Sequence, residues 1–352
     1  MTILIFLIIF ALLIFVHEFG HFIAAKKSGM LVEEFGFGLP PRLLHKKIGE
    51  TIYSINLIPF GGFVKIFGEE QQELTTKKTD KLRKRAFINK KPWQKTLVMI
   101  GGVIGNFLLG WLLISFLFTK GVPVPTNNVT IEQVISSSPA SSAGLRINDK
   151  ILKIAEHPIK TTTELTNLTK KYGGKKVNLL IERSGKLITV ALTPRANPPS
   201  GKGPLGVVVT SYAVKRYPWY QAPFFGLVEA AKITRQILVE LLRTLFLFIT
   251  LKKPAVEVTG PIGIARYTGE AIKFGQNAVL ELMALLSLNL AVINILPFPA
   301  LDGGRLVFVL YEWIFKKRVN QNFERFLNFF GIVILLTLAV IISVNDIIQL
   351  TK

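Results

Sequence analysis

The chain has 352 residues, of which 50% are hydrophobic, with a formal net charge of +21 and a mean hydropathy of +0.43. Its apolar residues fall in long blocks, which excludes an ordinary water-soluble fold and indicates an integral membrane protein. Zero cysteines exclude disulfides and thiolate metal sites, and the basic residues lie beside the apolar blocks, which favours contact with anionic membrane lipid over nucleic acid.

Four apolar blocks are long enough to cross a bilayer as helices. They are Thr2–Ala25, Leu97–Phe118, Ala278–Ile295 and Phe326–Val344. No basic residue precedes the first block, so we interpret it as a retained helix rather than a cleaved signal peptide. The loops that flank the blocks at 26–27, 90–95 and 316–325 are basic, which predicts that they are cytoplasmic and that both termini lie outside.

The first block contains the motif His17-Glu18-Phe19-Gly20-His21. On a helix, HExxH places two imidazoles on one face, where they can share a metal ion, with a glutamate beside the open coordination position. The motif also occurs by chance in soluble helices, but three polar side chains inside an apolar span must be paired or functional. His17 lies about 15 residues into the block, roughly 22 Å at about 1.5 Å per residue, which predicts a metal within the bilayer toward the cytoplasmic side.

A catalytic zinc site usually has three protein ligands, so a third is expected. Lys27 stands where a metzincin would have its third histidine, which excludes that class. Glu33 and Glu34 are alternatives, but they follow the end of the first block. Asp302 is the preferred candidate because apolar stretches flank it on both sides, and Pro297 and Pro299 must unwind the third span just before it.

Between the first two blocks, the segment from Tyr53 to Ile66 partly alternates between apolar and polar residues. We interpret it as a β-hairpin that turns at Gly61-Gly62. The pattern alone fits an ordinary cytoplasmic hairpin as well as one that enters the membrane.

One segment, at about residues 123–210, is predicted to be a soluble domain. Its strand-like runs are Thr130–Ile135, Lys150–Ile154, Lys176–Ile181 and Leu187–Leu192, and Thr163–Tyr172 is predicted to be helical. The stretch from Ser138 to Leu152 resembles the PDZ pattern in which PAxxAGL leads to GDxI, with Asn148 in place of the usual glycine. Asparagine tolerates the left-handed backbone that such a turn needs. A small β-rich spacer is the alternative to a PDZ domain.

The stretch Pro223–Lys253 has a helical pattern with five charges, which makes a buried span costly. We therefore expect an amphipathic helix that lies on the outer membrane surface.

These motifs occur in the order typical of one family. The matching runs are HEFGH at 17–21, PFGGFVK at 59–65, GVIGNF at 102–107, the PDZ-like insert, TGPIGI at 259–264 and NILPFPALDGG at 294–304. Over nearly its whole length, the chain resembles the bacterial site-2 proteases of the regulator-of-sigma-E-protease type, which are intramembrane zinc metalloproteases. It differs from the common family pattern at Val103, where proline is usual, and it has room for a single PDZ domain.

The resemblance implies that His17, His21 and Asp302 bind Zn²⁺ and that Glu18 is the general base. It further implies that substrate is bound by six other residues, namely Asn294, Pro297, Pro299, Gly61, Gly62 and Asn106. The hairpin would be a membrane-re-entrant β-loop that pairs with an unwound substrate strand. The expected substrates are single-span membrane proteins, such as anti-sigma factors or remnant signal peptides, in the inner membrane of a bacterium.

The predicted fold is therefore a polytopic α-helical membrane protein with about four transmembrane helices, a re-entrant β-hairpin and an inserted α+β PDZ-like domain. The predicted boundaries are 1–121 for the N-terminal membrane part, 122–210 for the PDZ-like domain and 211–352 for the C-terminal membrane part. The PDZ-like domain could bind a peptide C-terminus or exclude bulky ectodomains. A membrane-anchored PDZ adaptor without a working metal site, and a metal transporter, are the alternative functions.

Overall fold

The computed structural model describes residues 1–69, 80–199, 202–250 and 259–350. The chain forms two compact units, of which one comprises Met1–Leu117 with Pro218–Lys352 and the other comprises Phe118–Tyr217. We call them the membrane unit and the inserted unit. The predicted end of the amphipathic helix, beyond residue 250, lies outside the described residues.

The first part of the chain contains α1 (Thr2–Lys27), β1 (Val32–Ile48), β2 (Thr51–Ile66), α2 (Asp80–Arg83), α3 (Pro92–Met99) and α4 (Gly101–Lys120). The middle part contains β3 (Val122–Val134), α5 (Pro139–Ser142), β4 (Lys150–Ile154), β5 (His157–Pro158), α6 (Thr162–Lys171), β6 (Val177–Arg183), β7 (Lys186–Leu192) and β8 (Val207–Lys215). The last part contains α7 (Ala222–Ile249), α8 (Pro261–Phe274), α9 (Gln276–Ile295), α10 (Asp302–Phe315) and α11 (Gln321–Leu350).

Among the described residues, four helices are long and apolar enough to cross a membrane: α1, α4, α9 and the Asn322–Ile348 part of α11. They correspond to the four predicted spans, with one difference. The predicted run Leu97–Phe118 is interrupted at Ile100, so that α3 ends just before α4 begins. The Gly101-Gly102 pair that follows weakens the helix at this point, because glycine loses more backbone entropy than any other residue when it becomes helical.

The helix α7 carries its charges among apolar residues, as predicted, and it is not among the four candidate spans. Exposed side chains form two ion pairs along it, between Glu229 and Lys232 at 3.6 Å and between Glu240 and Arg243 at 3.7 Å. Its position on the membrane surface stays a prediction.

The hairpin between the first two spans differs from the prediction. The chain reverses at Gly49 and Glu50, where residues 44–48 pair with residues 51–55. Residues 34–37 of β1 pair with residues 52–55 on one side and with residues 62–65 on the other, so the chain changes direction again between Ile58 and Gly62, next to the predicted turn. The two arms of the predicted hairpin therefore flank β1 instead of pairing with each other. Both glycines lie within β2, where Gly62 stands opposite Phe37. Gly62 is small for a different reason, since a Cβ atom there would lie 2.9 Å from the Cγ of Glu18. The glycine therefore allows the hairpin to approach α1 closely.

The inserted unit contains an antiparallel sheet of six strands in the order β7-β6-β4-β3-β8, with β5 paired to β4. The predicted strands are present as β3, β4, β6 and β7, and the predicted helix is present as α6. β8 was not predicted, because its place is fixed by pairing with the distant β3. Asn148 has a φ of 71°, which confirms the left-handed turn expected there.

Candidate metal centre

The first two residues of the candidate site come from α1. His17 and His21 are one helical turn apart on the same face, and both are buried, with 8% of each residue exposed. Their Nε2 atoms lie 3.2 Å apart. Glu18 is half-buried beside them, next to the strand β2.

The third residue reaches the site through a break between two helices. α9 ends at Ile295, and α10 begins at Asp302, as expected from the two prolines in between. The sequence did not predict α10, whose first turn fits only because Gly303 and Gly304 lack side chains. A Cβ atom at Gly303 would overlap the carbonyl oxygens of residues 295 and 296, and one at Gly304 would overlap that of residue 298.

His17, His21 and Asp302 converge on one point. The Oδ2 atom of Asp302 lies 3.0 Å from His17 Nε2 and 3.2 Å from His21 Nε2. Together with the 3.2 Å between the two nitrogens, these distances form a nearly equilateral triangle. A tetrahedral zinc ion with bonds of about 2.0 Å has its ligand atoms about 3.3 Å apart, so the triangle matches one face of such a tetrahedron.

The alternative ligands are engaged elsewhere. The buried carboxylate of Glu34 accepts hydrogen bonds from Arg42 and from Ser54, each at 2.6 Å. Glu33 forms an ion pair with Lys65 at 3.3 Å. Among the described residues, the one cluster able to hold a metal ion is His17, His21 and Asp302.

Glycines bring α1 and α4 into direct backbone contact at the site. A Cβ atom at Gly101 would lie 2.7 Å from the carbonyl oxygen of Gly20, and one at Gly105 would lie 2.7 Å from that of Val16. Gly102 faces the two imidazoles, and a Cβ atom there would overlap both rings. The sequence motif GVIGNF therefore forms one wall of the metal site, a role that was not predicted.

Both histidine rings are held on the side away from Asp302. The Nδ1 atom of His21 lies 2.7 Å from the carbonyl oxygen of Val98, which orients the ring with Nε2 toward Asp302. The Nδ1 atom of His17 lies 3.3 Å from the side-chain nitrogen of Asn106. The contact of Val98 could not be predicted from the sequence, because it is made by the backbone carbonyl group, which every residue has.

The residues predicted to bind substrate are placed differently from one another. Asn294 is half-buried, with its amide nitrogen 3.4 Å from His17 Nε2, and Gly62 lies against Glu18. Asn106 is fully buried, so the structure does not support a direct substrate contact by this residue. Pro297 is exposed, Pro299 packs against Gly331 of α11, and Gly61 packs against Leu39.

This arrangement offers two imidazoles and a carboxylate on one side of a metal position, with a second carboxylate beside it. Such a set can hold a zinc ion that keeps one coordination position open, next to a group able to accept a proton from water. The site therefore has the parts needed for metal-assisted hydrolysis.

The chain matches the model of one protein family and is similar in sequence to several known proteins. The model of peptidase family M50 matches residues 5–338. A Clostridium perfringens protein that is named as a zinc metalloprotease is 36% identical over 97% of both chains. One from Fusobacterium nucleatum, also named as a zinc metalloprotease, is 32% identical over 99% of this chain and 98% of its own. The regulator of sigma-W protease RasP of Bacillus subtilis is 27% identical over 98% of both chains.

Among solved structures, the PDZ domain of an SdrC-like protein from Listeria monocytogenes is 20% identical. The match covers 25% of this chain and 94% of that domain, with a TM-score of 0.22. Because this TM-score is too low to argue from, the PDZ interpretation stays a prediction.

Proposed function

The chain belongs to peptidase family M50, and from this premise we propose that it hydrolyses peptide bonds inside the transmembrane segments of single-span membrane proteins. It is a zinc-dependent protease and a bacterial membrane protein with four candidate spans. The cleavage of substrates within the bilayer, the roles of individual residues and the substrate class are our proposals.

One observation carries the proposal: two of the three candidate ligands lie on an apolar helix that is long enough to span a membrane, and the third meets them there. His17 and His21 belong to α1, whose outer surface exposes large apolar side chains such as Ile8, Phe15 and Phe19. Such a surface is stable in contact with lipid, and polar groups that face inward from it are usually functional. A hydrolytic site in this position reaches substrates that are themselves in the membrane.

We assign zinc binding to His17, His21 and Asp302. When bound, zinc supplies Lewis-acid polarisation and lowers the pKa of water at its open position to about 7. Glu18 follows His17 directly, and its carboxylate accepts a proton from water and delivers it to the nitrogen of the leaving amine. Asn294, as the accessible amide at the site, donates a hydrogen bond to the carbonyl oxygen of the substrate.

Hydrolysis requires that the substrate helix first unwinds, because its backbone hydrogen bonds keep the peptide group away from the catalytic residues. In the β1–β2 sheet, residues 34–37 are paired on both sides, whereas residues 44–48 and 62–66 are paired on one side in the register of the described residues. These outer segments therefore have an edge that can accept an extended segment. Gly62 brings β2 next to Glu18. We propose that the hairpin enters the membrane and that Gly61 and Gly62 let a substrate strand lie close to the site.

The substrate class follows from the resemblance and from the relatives. The name of the Bacillus subtilis relative, regulator of sigma-W protease, supports single-span anti-sigma factors as substrates, with remnant signal peptides as a second group. The inserted unit would bind a peptide C-terminus or exclude untrimmed ectodomains. The basic flanks of the spans support an inner-membrane protein with both termini outside and its site toward the cytoplasm.

The test is cleavage of a single-span substrate by purified protein in proteoliposomes, with zinc measured in the same samples. We expect Glu18→Gln to keep its zinc and to lose activity by a factor of about 10²–10⁴, because general acid–base catalysis contributes about that much. Glu132→Gln, which changes an exposed carboxylate on β3, is the matched control and should remain active. A fully active Glu18→Gln variant would reject the proposed role of Glu18.

A further inference from the structure

We infer that Asn106 is a positioning residue for His17, and that its side-chain oxygen accepts the Nδ1–H of His17 so that Nε2 faces the metal. This inference rests on the proposed metal site and assigns a role that differs from the predicted contact with substrate. Asn106 lies on α4, it is fully buried, and its amide nitrogen is 3.3 Å from His17 Nδ1. Its Oδ1 atom is also buried and has no hydrogen-bond partner among the residues that the structure describes.

The orientation of the His17 ring decides which amide atom must face it. Nε2 is the nitrogen that lies near Asp302 and His21, so Nε2 is the atom that can bind a metal. A neutral imidazole that gives its Nε2 lone pair to a metal carries its proton on Nδ1. This N–H requires an acceptor, and the NH₂ group of an amide cannot be one. A rotation of the Asn106 amide by about 180°, which exchanges two atoms of nearly equal size, supplies the oxygen.

The ring of His21 also has a hydrogen-bond acceptor at Nδ1. Its Nδ1 atom lies 2.7 Å from the carbonyl oxygen of Val98, which can only accept a hydrogen bond. The His21 proton is therefore on Nδ1, and Nε2 is available to the metal. With Asn106 in the role that Val98 has for His21, both histidines have one nitrogen anchored to the protein and the other directed at the metal.

The backbone of α4 at Asn106 is held in place by contacts with α9 and α1. The hydroxyl group of Ser287 on α9 donates a hydrogen bond of 2.7 Å to the carbonyl oxygen of Asn106, and both residues are fully buried. At the residue directly before Asn106, the close contact of Gly105 with Val16 fixes α4 against α1. The side chain of Asn106 thus has a fixed starting point and can orient the ring.

Asn294 is the second amide near His17, but its geometry does not fit the same role. Its nitrogen is almost equally far from the two ring nitrogens, at 3.5 Å from Nδ1 and 3.4 Å from Nε2. A nitrogen at equal distances from the two ring nitrogens is not aligned with the lone pair of either one. Asn294 is also half-buried rather than buried, so it remains available to substrate.

The experiment compares three variants of the full-length protein by competition for zinc with a chelator in detergent. Asn106→Leu removes both polar atoms at nearly constant volume, Asn106→Asp keeps an acceptor and removes the donor, and Asn178→Leu at an exposed position of β6 is the matched control. We expect Asn106→Leu to bind zinc about 10- to 100-fold more weakly, which is the usual effect of losing such a partner of a ligand. Asn106→Asp and Asn178→Leu should bind zinc within a few-fold of wild type.

Two outcomes would overturn the role of Asn106: zinc affinity in Asn106→Leu equal to wild type, or Asn106→Asp as weak as Asn106→Leu. Because a buried substitution could prevent folding, the second measurement uses wild-type protein labelled with ¹⁵N-histidine. The chain has only four histidines, and the zinc-loaded His17 should show a proton on Nδ1. A proton on Nε2 instead would contradict the inference. Wild-type protein that binds no zinc would overturn the proposed metal centre itself.

Discussion

The inserted unit buries aliphatic side chains, among them Ile131, Ile151 and Leu179, around a single buried aspartate, Asp149. The membrane unit shows a different distribution. Its polar residues His17, His21, Asn106 and Ser287 are buried, while long rows of Phe, Ile, Leu and Val are exposed on α1 and α11. Both units bury apolar clusters, but the membrane unit also exposes long rows of apolar side chains along its helices.

The difference follows from the solvent of each unit. Water drives apolar side chains into the core of the inserted unit, whereas lipid gives little drive for one apolar helix to leave it for another. Helices in a membrane associate through small residues and polar contacts instead. Gly20, Gly101 and Gly105 provide the small residues between α1 and α4, and the same close approach forms one wall of the proposed metal site. Packing and function therefore depend on the same positions in the membrane unit.

Within the membrane unit, the largest effect is expected from Gly102→Ala, which adds one methyl group between α4 and the two histidines. The methyl group would overlap both rings, and the ring of His21 cannot retreat without losing its contact with Val98. Overpacking of this kind costs about 1–3 kcal/mol, which corresponds to a loss of about 5- to 150-fold in zinc affinity. Gly269→Ala on α8 is the control, because its neighbour is the terminal methyl of Thr2 at 3.1 Å. Zinc affinity unchanged by Gly102→Ala would show that the site is not so tightly packed.

The inserted unit should respond most to Arg183→Met. The guanidinium of Arg183 binds both oxygens of the buried Asp149, at 2.7 and 2.6 Å. Its removal leaves a buried carboxylate without its counter-ion, which costs about 3–5 kcal/mol. Hydrogen exchange in the full-length protein should show faster exchange in the strands β4 and β6. The exposed Lys186→Met should leave exchange unchanged, and equal effects of the two variants would refute the account.

Only part of the fold and of the candidate site could be predicted from the sequence alone. HExxH in an apolar block and the prolines before Asp302 were enough to find the three candidate ligands, because spacing and helix breaking are local properties. The contacts of Val98 and Gly102 with the histidines were not predictable, since they depend on how α1 packs against α3 and α4. The turn was placed at Gly61-Gly62 because glycine pairs usually mark turns, and the chain does change direction next to them. The sequence did not show that β1 lies between the two arms or that Gly62 allows close approach to α1, since both depend on contacts between distant segments.

A smaller effect is expected from Asp346→Asn in the membrane unit. The buried Oδ2 of Asp346 on α11 accepts hydrogen bonds from the N–H groups of Gly260 at 3.0 Å and Gly263 at 2.9 Å, at the start of α8. An amide can keep one acceptor but loses the negative charge that stabilises a helix N-terminus, so we expect a loss of about 1 kcal/mol. Thermal unfolding in detergent measures it, with Asn345→Ala as the control. A higher unfolding temperature in Asp346→Asn would contradict this assignment.

The smallest effect is a pH dependence of the inserted unit. Burial raises the pKa of Asp149, but the hydrogen bonds from Arg183 and from the backbone of Arg146 outweigh it and hold the pKa below its ordinary value. In the folded state, the ionised form of Asp149 is therefore favoured over the protonated form. Its contribution is complete above the unfolded pKa of about 4 and is lost as the pH falls through the lower folded pKa. Hydrogen exchange between pH 6 and pH 3 should show this loss in wild type and not in Arg183→Met.

The account depends most on the metal centre formed by His17, His21 and Asp302. The most direct test is the zinc content of purified full-length protein after dialysis, for wild type, His21→Ala, Asp302→Ala and His157→Ala. His157 lies in the inserted unit, far along the chain from the site, and serves as the histidine control. We expect about one zinc per chain in wild type and in His157→Ala, and little in the other two, because a site with two ligands binds zinc weakly. Full zinc content in His21→Ala or in Asp302→Ala would contradict the proposed centre.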